Sequence, residues 1–146
     1  MDTDEELAGA LAALQRRSPE ELSAFIVSLL CGAPAGVRSY VEAFIAAAEP
    51  SKVATIVRRE IGALRVGERE YDVRHRRSAE IVARAGYTLG IIERVVLPSD
   101  VALGRKLLCG LLDAEQQIAA QCYEDDFGAE ELFTRVRSLL SASTER

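Results

Sequence analysis

The sequence predicts an all-α fold, and two observations lead to that prediction. Apolar residues recur at the 3.6-residue spacing of a helix through nearly every segment, and no segment reads as a convincing strand. Aromatic residues make up only 5% of the 146 residues and tryptophan is absent, so the core must consist mainly of Leu, Ile, Val and Ala. Such a composition favours closely packed helices. We therefore predict an irregular bundle of about seven helices in antiparallel hairpins, with a short stack of HEAT-like or TPR-like repeats as the alternative.

The predicted helices span 4–16, 19–31, 35–48, 51–66, 74–96, 99–122 and 129–142. The start of the second is marked by "SPEE", where Ser18 can cap the helix, Pro19 suits its first position and Glu21 completes a capping box. Short connections predict that sequential helices are antiparallel neighbours. No self-similarity at a fixed period supports the repeat stack, so the bundle is preferred.

Five of the predicted helices carry an apolar stripe that we expect to be buried. The stripes are, in order, Leu22, Phe25, Ile26, Leu29 and Leu30; Val37, Tyr40, Val41, Phe44 and Ile45; Val53, Ile56, Val57, Ile61 and Leu64; Ile81, Ala85, Leu89, Ile92 and Val96; and Leu132, Phe133, Val136, Leu139 and Leu140. The motif "GYTLG" places Gly86 and Gly90 four residues apart on one of these helices. Without the spacing of a nucleotide-binding motif, the pair predicts the close approach of a neighbouring helix.

Length and cysteine content predict the organisation and compartment of the chain. A chain of 146 residues suits one domain over 1–146 with short flexible termini. The acidic start is unlike a targeting signal, and no run of about 18 apolar residues predicts a membrane span. Cys31, Cys109 and Cys122 lie in apolar surroundings without CxxC spacing, and one histidine cannot complete a usual zinc set. We expect buried, reduced cysteines, a cytoplasmic protein, and no metal or cofactor.

The charge is unevenly distributed along the chain. Residues 52–77 carry eight Lys or Arg against four Asp or Glu, whereas residues 113–131 carry seven acids and no base. The two regions can attract each other within the fold or between copies, or the basic region can be a docking face. Of the 18 basic residues, all but Lys52 and Lys106 are arginine. Together with abundant Ala, Gly and Val, this bias indicates a GC-rich coding sequence and weakens the case for phosphate binding.

A candidate basic face runs through residues 58–77. Its members are Arg58, Arg59, Arg65, Arg69, Arg74, His75, Arg76 and Arg77. Nucleic-acid recognition usually adds a groove-reading motif or stacking aromatics, and Tyr71 is the one aromatic residue nearby. Nucleic-acid binding by this face is therefore an alternative and not the preferred function.

The single histidine, His75, is expected at the first turn of the fifth helix, near the border of its polar face. Catalysis there needs a nucleophile within reach and an orienting acid. Ser78 is close in sequence, but at this spacing it more often bonds the backbone. Arg76, Glu80 and Arg84 follow at i,i+4 spacing and predict ion pairs along the helix. We expect His75 to hydrogen-bond a neighbouring group and assign no catalytic residue.

The acidic turn "CYEDDFGAEE" is a second candidate site. Glu124, Asp125 and Asp126 are consecutive, whereas a calcium loop of the EF-hand type needs oxygen ligands at alternating positions. Adjacent acids also do not provide the two converging carboxylates of a hydrolase. The turn is more typical of an acidic helix start, so no metal site is predicted.

Residues 18–140 resemble an uncharacterised, mostly bacterial all-helical domain family of unknown function. The resemblance rests on "SPEELSAFI", "KVATIVRREIGAL", "VVLPSDVALGRKLL" and the acidic turn "EDDFG". In that family the turn reads Asp-Asp-Ser followed shortly by Gly, whereas this chain has Phe127 and an immediate Gly128. The resemblance implies an all-α fold and a bacterial cytoplasmic setting. It implies no activity and no catalytic residues.

These observations favour a non-enzymatic helical module that binds another protein or associates with itself. Amphipathic helices without a catalytic constellation and two oppositely charged regions motivate that hypothesis. Nucleic-acid binding through residues 58–77 is one alternative. A small-ligand site or an enzyme between the long helices is the other, and a pocket enclosing His75 with Asp125 or a cysteine would favour it.

Overall fold

A computed structural model describes residues 3–66, 74–122 and 128–144, and the side chains of all of these except 74–78. The helices are α1 (Thr3–Gln15), α2 (Pro19–Gly32), α3 (Ala35–Ile45), α4 (Pro50–Val66), α5 (Arg74–Ile91), α6 (Val101–Asp113), α7 (Glu115–Ala120) and α8 (Ala129–Thr144), with a π-helical segment at Ile92–Val96 between α5 and α6. Within the described ranges there is no strand, and the predicted all-α fold is confirmed. Nor does any helix of those ranges combine the length and the apolar composition needed to cross a bilayer.

The chain divides into two units, Met1–Ala33 and Pro34–Arg146. We call the first the N-terminal helix pair and the second the bundle. The single domain predicted from the length stays a prediction, and the two units are described separately below.

The N-terminal helix pair contains the capping box predicted from "SPEE". The Ser18 hydroxyl accepts a hydrogen bond from the Glu21 backbone N–H at 3.1 Å, and the Glu21 carboxylate accepts one from the Ser18 backbone N–H at 3.4 Å. Pro19 occupies the first helical position, where its missing N–H costs nothing. Both the predicted first residue of α2 and its predicted capping box are therefore confirmed.

Packing within the helix pair is slight. α1 and α2 make only marginal contact with each other. Among their described residues none is buried, and Phe25 of the predicted stripe is exposed. The stripe expected to be buried along α2 is at most half-buried. The amphipathic sequence of this unit therefore presents apolar surface without covering it.

In the bundle, α4 and α5 run through one core to which α6 and α8 also contribute. The stripes predicted for 51–66, 74–96 and 129–142 are confirmed, because their members are buried or packed against the buried cluster. Phe133 and Val136 of α8 are almost completely covered. These helices are held by their apolar faces, at roughly 1.5–3 kcal/mol for each fully buried large aliphatic or aromatic side chain.

The stripe predicted for α3 is wrong at its C-terminal end. Phe44 and Ile45 are each 60% exposed, whereas Gly36, Ser39 and Ala43 are buried. α3 packs closely against α5 through this face of small residues. A Cβ atom at Gly36 would lie 3.2 Å from the Cα of Arg84, so the two backbones approach too closely for the larger side chains to lie between them.

Two predicted long helices are each divided. The segment 74–96 is α5 followed by the π-helical turn, whose last bond joins the Leu97 N–H to the Ile92 carbonyl at 2.9 Å. The segment 99–122 breaks at Ala114 into α6 and α7. Asp100 caps α6, because the Asp100 carboxylate accepts from the Leu103 N–H at 3.0 Å.

The prediction of buried cysteines is wrong. Cys31 and Cys109 are exposed and Cys122 is half-buried, all three as free thiols. Cys109 lies in the run "LLCGLL", but buried Leu107, Leu108 and Leu111 occupy the other side of α6. Apolar neighbours in sequence do not bury a residue that points away from the stripe. Burial does raise the pKa of the Cys122 thiol, which disfavours its reactive thiolate form.

Candidate functional site

Three helices of the bundle converge on Glu60 of α4. Its side chain is among the buried groups of the core, with the residue only 2% exposed. Arg84 of α5 donates from Nε to Oε2 at 2.6 Å and from Nη2 to Oε1 at 3.1 Å. Ser39 of α3 donates its hydroxyl to Oε1 at 2.7 Å. A bidentate contact with the Arg84 guanidinium and a hydrogen bond from the Ser39 hydroxyl therefore stabilise a carboxylate that would otherwise be costly to bury.

An outer layer of polar groups surrounds this carboxylate. Arg59 donates from Nη2 to the Ser39 hydroxyl at 3.1 Å and to the Glu42 carboxylate at 3.0 Å. The Ser39 hydroxyl thus accepts a hydrogen bond from Arg59 and donates one to the buried Glu60, both of them residues of α4. Arg59 is half-exposed, so its pairing with Glu42 contributes little on its own. Its role is to continue the network from the core to the surface.

The network fixes the charge state of Glu60. Burial by itself raises the pKa of this carboxyl, but hydrogen bonds from Arg84 and Ser39 and the positive charges of Arg84 and Arg59 outweigh it. The net result is a pKa below the ordinary value of 4.5. Glu60 is therefore ionised at neutral pH, and it is a structural anion with its acceptors occupied and not a proton donor.

This lowered pKa predicts how stability depends on pH. Because the folded-state pKa lies below the unfolded one, ionised Glu60 stabilises the fold above pH 4.5, and this contribution is lost as the pH falls from there through the folded pKa. We expect the difference in unfolding free energy between the wild type and Glu60→Gln to shrink over that acidic range. Urea denaturation at a series of pH values measures it. A difference that stays constant down to the lowest pH at which both proteins fold would contradict this assignment.

A surface cavity of about 450 Å³ lies beside the network, along α5. Small residues form part of its lining, which comprises Tyr40, Ala83, Gly86, Tyr87, Leu89, Gly90, Glu93 and Arg94. A Cβ atom at Gly90 would lie 2.9 Å from the ring of Tyr40, whereas one at Gly86 would meet nothing within 4 Å. The close helix approach predicted from "GYTLG" is thus confirmed at Gly90. At Gly86 the missing side chain opens the cavity instead.

Tyr40 of α3 organises the wall of this cavity. Arg94 donates from Nη1 to the Tyr40 hydroxyl at 3.0 Å. The rings of Tyr40 and Tyr87 meet edge to face, with centroids 6.2 Å apart and planes at 68°. Glu93 at the same end is paired with Arg135 of α8. Two aromatic rings, small residues and the Arg94 guanidinium therefore line this cavity together.

Helical spacing alone does not indicate this site. Tyr40 and Arg94 are 54 residues apart, and Ser39 and Glu60 are 21 apart. The spacing places Tyr40 on an apolar stripe and predicts that Arg84 pairs along its own helix. The one available signal was a glutamate inside the apolar stripe of α4, between Val57 and Ile61. A charged residue at a core position predicts a buried partner but does not identify it.

The predicted basic face is only partly described. Arg58 and Arg65 are exposed on α4, and Arg59 is occupied by Ser39 and Glu42. Arg74, His75, Arg76 and Arg77 lie in the first turn of α5, with side chains outside the described set, and Arg69 lies outside the described residues altogether. The basic face as a set therefore stays a prediction.

The structure also describes only part of the acidic region at residues 113–131. Glu124, Asp125 and Asp126 lie outside the described residues. Glu115 pairs with Arg137 of α8, which does not belong to the basic region. A neutral contact connects the two regions, since Gln121 donates from Nε2 to the Leu64 carbonyl at 2.6 Å.

In the described part of the chain, no group of three His, Cys, Asp or Glu side chains is placed to hold a metal ion. The cavity lining contains none of the three cysteines. The side chain of His75 and all of Asp125 lie outside the described set, so a site that combines them stays a prediction.

Comparison with known proteins identifies no relative of this chain. The resemblance to an uncharacterised bacterial helical family rests on the quoted motifs and stays a prediction. No protein-family model, no curated protein and no solved structure matches the chain.

Proposed function

We propose that the protein is a non-enzymatic interaction module that associates with a second copy through α1. The observation that carries the proposal is an exposed leucine stripe on this helix. Leu7, Leu11 and Leu14 are 64%, 56% and 49% exposed, and their spacing of four and three residues puts them on one face. We call these three residues the α1 stripe.

Helix energetics support the proposal. α1 has 13 residues, and an isolated helix of that length is marginal in water because nucleation is costly. Contact with α2 is slight, so packing within the unit contributes little to its stability. Covering the α1 stripe against a partner would supply the missing stabilisation. A contiguous exposed apolar face of this kind is typical of a protein interaction site.

The bundle supports the proposal by contrast. Within the described ranges, every buried side-chain nitrogen or oxygen has a hydrogen-bond partner. The core of α4, α5, α6 and α8 is closed by large apolar side chains. The core of the bundle is therefore complete without these three leucines, which remain as apolar surface on α1.

A reducing compartment is part of the proposal. All three cysteines are free thiols, two of them exposed. Exposed thiols persist in the cytoplasm, whereas an oxidising compartment converts them to disulfides. A cytoplasmic setting suits this chain best.

Leu11→Asp tests the proposed function. We expect it to raise the apparent Kd of self-association at least about tenfold, since an aspartate in place of a leucine that the pair would bury removes more than 1.4 kcal/mol of apolar burial. Light scattering coupled to size-exclusion chromatography, over a series of loading concentrations, measures the change. Ala13→Asp is the matched control, because it adds the same charge to the same helix away from the α1 stripe. A wild type that remains monomeric up to high concentration contradicts the proposal.

A further inference from the structure

We propose that α1 pairs with α1 of a second copy in antiparallel orientation, about a two-fold axis that passes close to Leu11. This inference rests on the proposed function, because it specifies the geometry of the same association. A two-fold pair uses the same patch on both copies, so that patch must be complementary to itself. Two properties of α1 meet that requirement.

The first property is the charge at the two ends of α1. Asp4, Glu5 and Glu6 lie in its first turn, and Arg16 and Arg17 follow directly after its last residue, with Arg17 in an exposed ion pair with Glu21 of the same copy at 3.2 Å. In an antiparallel pair, each acidic end lies beside the arginines of the other copy. A parallel pair would instead place acids beside acids and arginines beside arginines. Charge therefore favours one orientation and penalises the other.

The second property is the placement of the α1 stripe along the helix. Leu11 lies near the middle of the α1 stripe, with Leu7 before it and Leu14 after it. Turning the helix end for end about a point between Ala10 and Leu11 therefore brings the stripe back onto itself, with Leu7 of one copy across from Leu14 of the other. Ala8 and Ala10 flank the stripe, and side chains this small allow the two helices to approach closely. The apolar match and the charge match have the same centre.

The size of the surface predicts the strength of the pair. Three leucines that are each about half exposed offer roughly 300 Å² of apolar area per copy, at about 100 Å² each. A standard stable interface buries about 800 Å² per partner. The pair therefore belongs to the small, reversible class, and its Kd is expected to lie well above the nanomolar range. This makes association dependent on concentration within the range that solution measurements reach.

Cysteine cross-linking of the full chain tests the orientation. The native cysteines are replaced by alanine, and one new cysteine is introduced as Thr3→Cys or as Ala10→Cys. The two positions are seven residues apart and lie on the same flank of the stripe, so they serve as controls for each other. In an antiparallel pair the two thiols at position 10 lie close to the two-fold axis. Those at position 3 lie at opposite ends of the pair, roughly 20 Å apart along the helices. A short bis-maleimide is expected to give roughly tenfold more cross-linked dimer with Ala10→Cys than with Thr3→Cys.

Each outcome separates this inference from the proposed function. Equal cross-linking at both positions means a parallel pair, and it overturns the orientation while self-association stands. A wild type that dimerises in light scattering without cross-linking at either position shows that α1 is not the interface, and this overturns the inference. A monomeric wild type without cross-links overturns the proposed function itself. Circular dichroism of both variants confirms that each remains folded.

Discussion

Replacing Glu60 by glutamine is expected to lower the free energy of unfolding by about 2–4 kcal/mol, because it removes the buried negative charge that pairs with the Arg84 guanidinium. The side chain of Arg84 is 26% exposed, so water offsets part of the loss, and we place the effect below that of a fully buried pair. Glutamine keeps the shape of the side chain, and the change therefore reports on charge rather than on a cavity. Urea denaturation at neutral pH measures the difference. For a chain of this length the melting temperature is expected to fall by roughly 6–12 °C.

Two further variants make the Glu60 prediction specific. Glu42→Gln removes an exposed carboxylate from the same network and is expected to cost less than about 1 kcal/mol. Glu60→Leu combined with Arg84→Met removes both charges and keeps an apolar filling, so it is expected to recover most of the stability lost by Glu60→Gln. A double variant as unstable as Glu60→Gln would show that the charges themselves are needed. An effect of Glu60→Gln no larger than that of Glu42→Gln would show that the buried pair contributes little.

The sequence predicts this fold well where one apolar stripe decides the packing. In α4, α5 and α8 the residues at helical spacing are those that the core buries. The capping box at Ser18 was equally predictable, because its donors and acceptors lie within one turn. Local patterns succeed here because the interactions that they describe are local.

The prediction from sequence fails where contacts between helices determine which residues are buried and which side chains meet. The spacing assigns Phe44 and Ile45 to the stripe of α3, but close packing on α5 through Gly36 turns a different face inward. The buried network needed Ser39, Glu60 and Arg84 from three helices, and no spacing within one helix connects them. Residues far apart in sequence are brought together only by the packing of whole helices, which periodicity does not describe.

Gly104→Ala is expected to destabilise the bundle by about 2 kcal/mol, although alanine is the better helix former. Gly104 is buried in the first turns of α6, and a Cβ atom there would overlap Cδ2 of Leu97 and lie 2.8 Å from its Cγ. Leu97 belongs to the core and is only 7% exposed, so its side chain cannot swing aside without disturbing its neighbours. To make room for the added methyl group, α6 must shift away from Leu97. That shift weakens the packing of α6 against the residues that follow the π-helical segment. Thermal or urea unfolding measures the loss.

Gly62→Ala is the matched control for this prediction, and we expect it to act in the opposite direction. Gly62 lies within α4 and is exposed, and a Cβ atom there would meet nothing within 4 Å. Alanine then stabilises the helix by about 0.5–1 kcal/mol, because glycine loses more conformational freedom on folding. The same substitution thus raises stability where space is open and lowers it where Leu97 fills the space. If both variants were stabilised, α6 would not be packed against Leu97 as closely as the structure places it, and the close approach at Gly104 would be disproved.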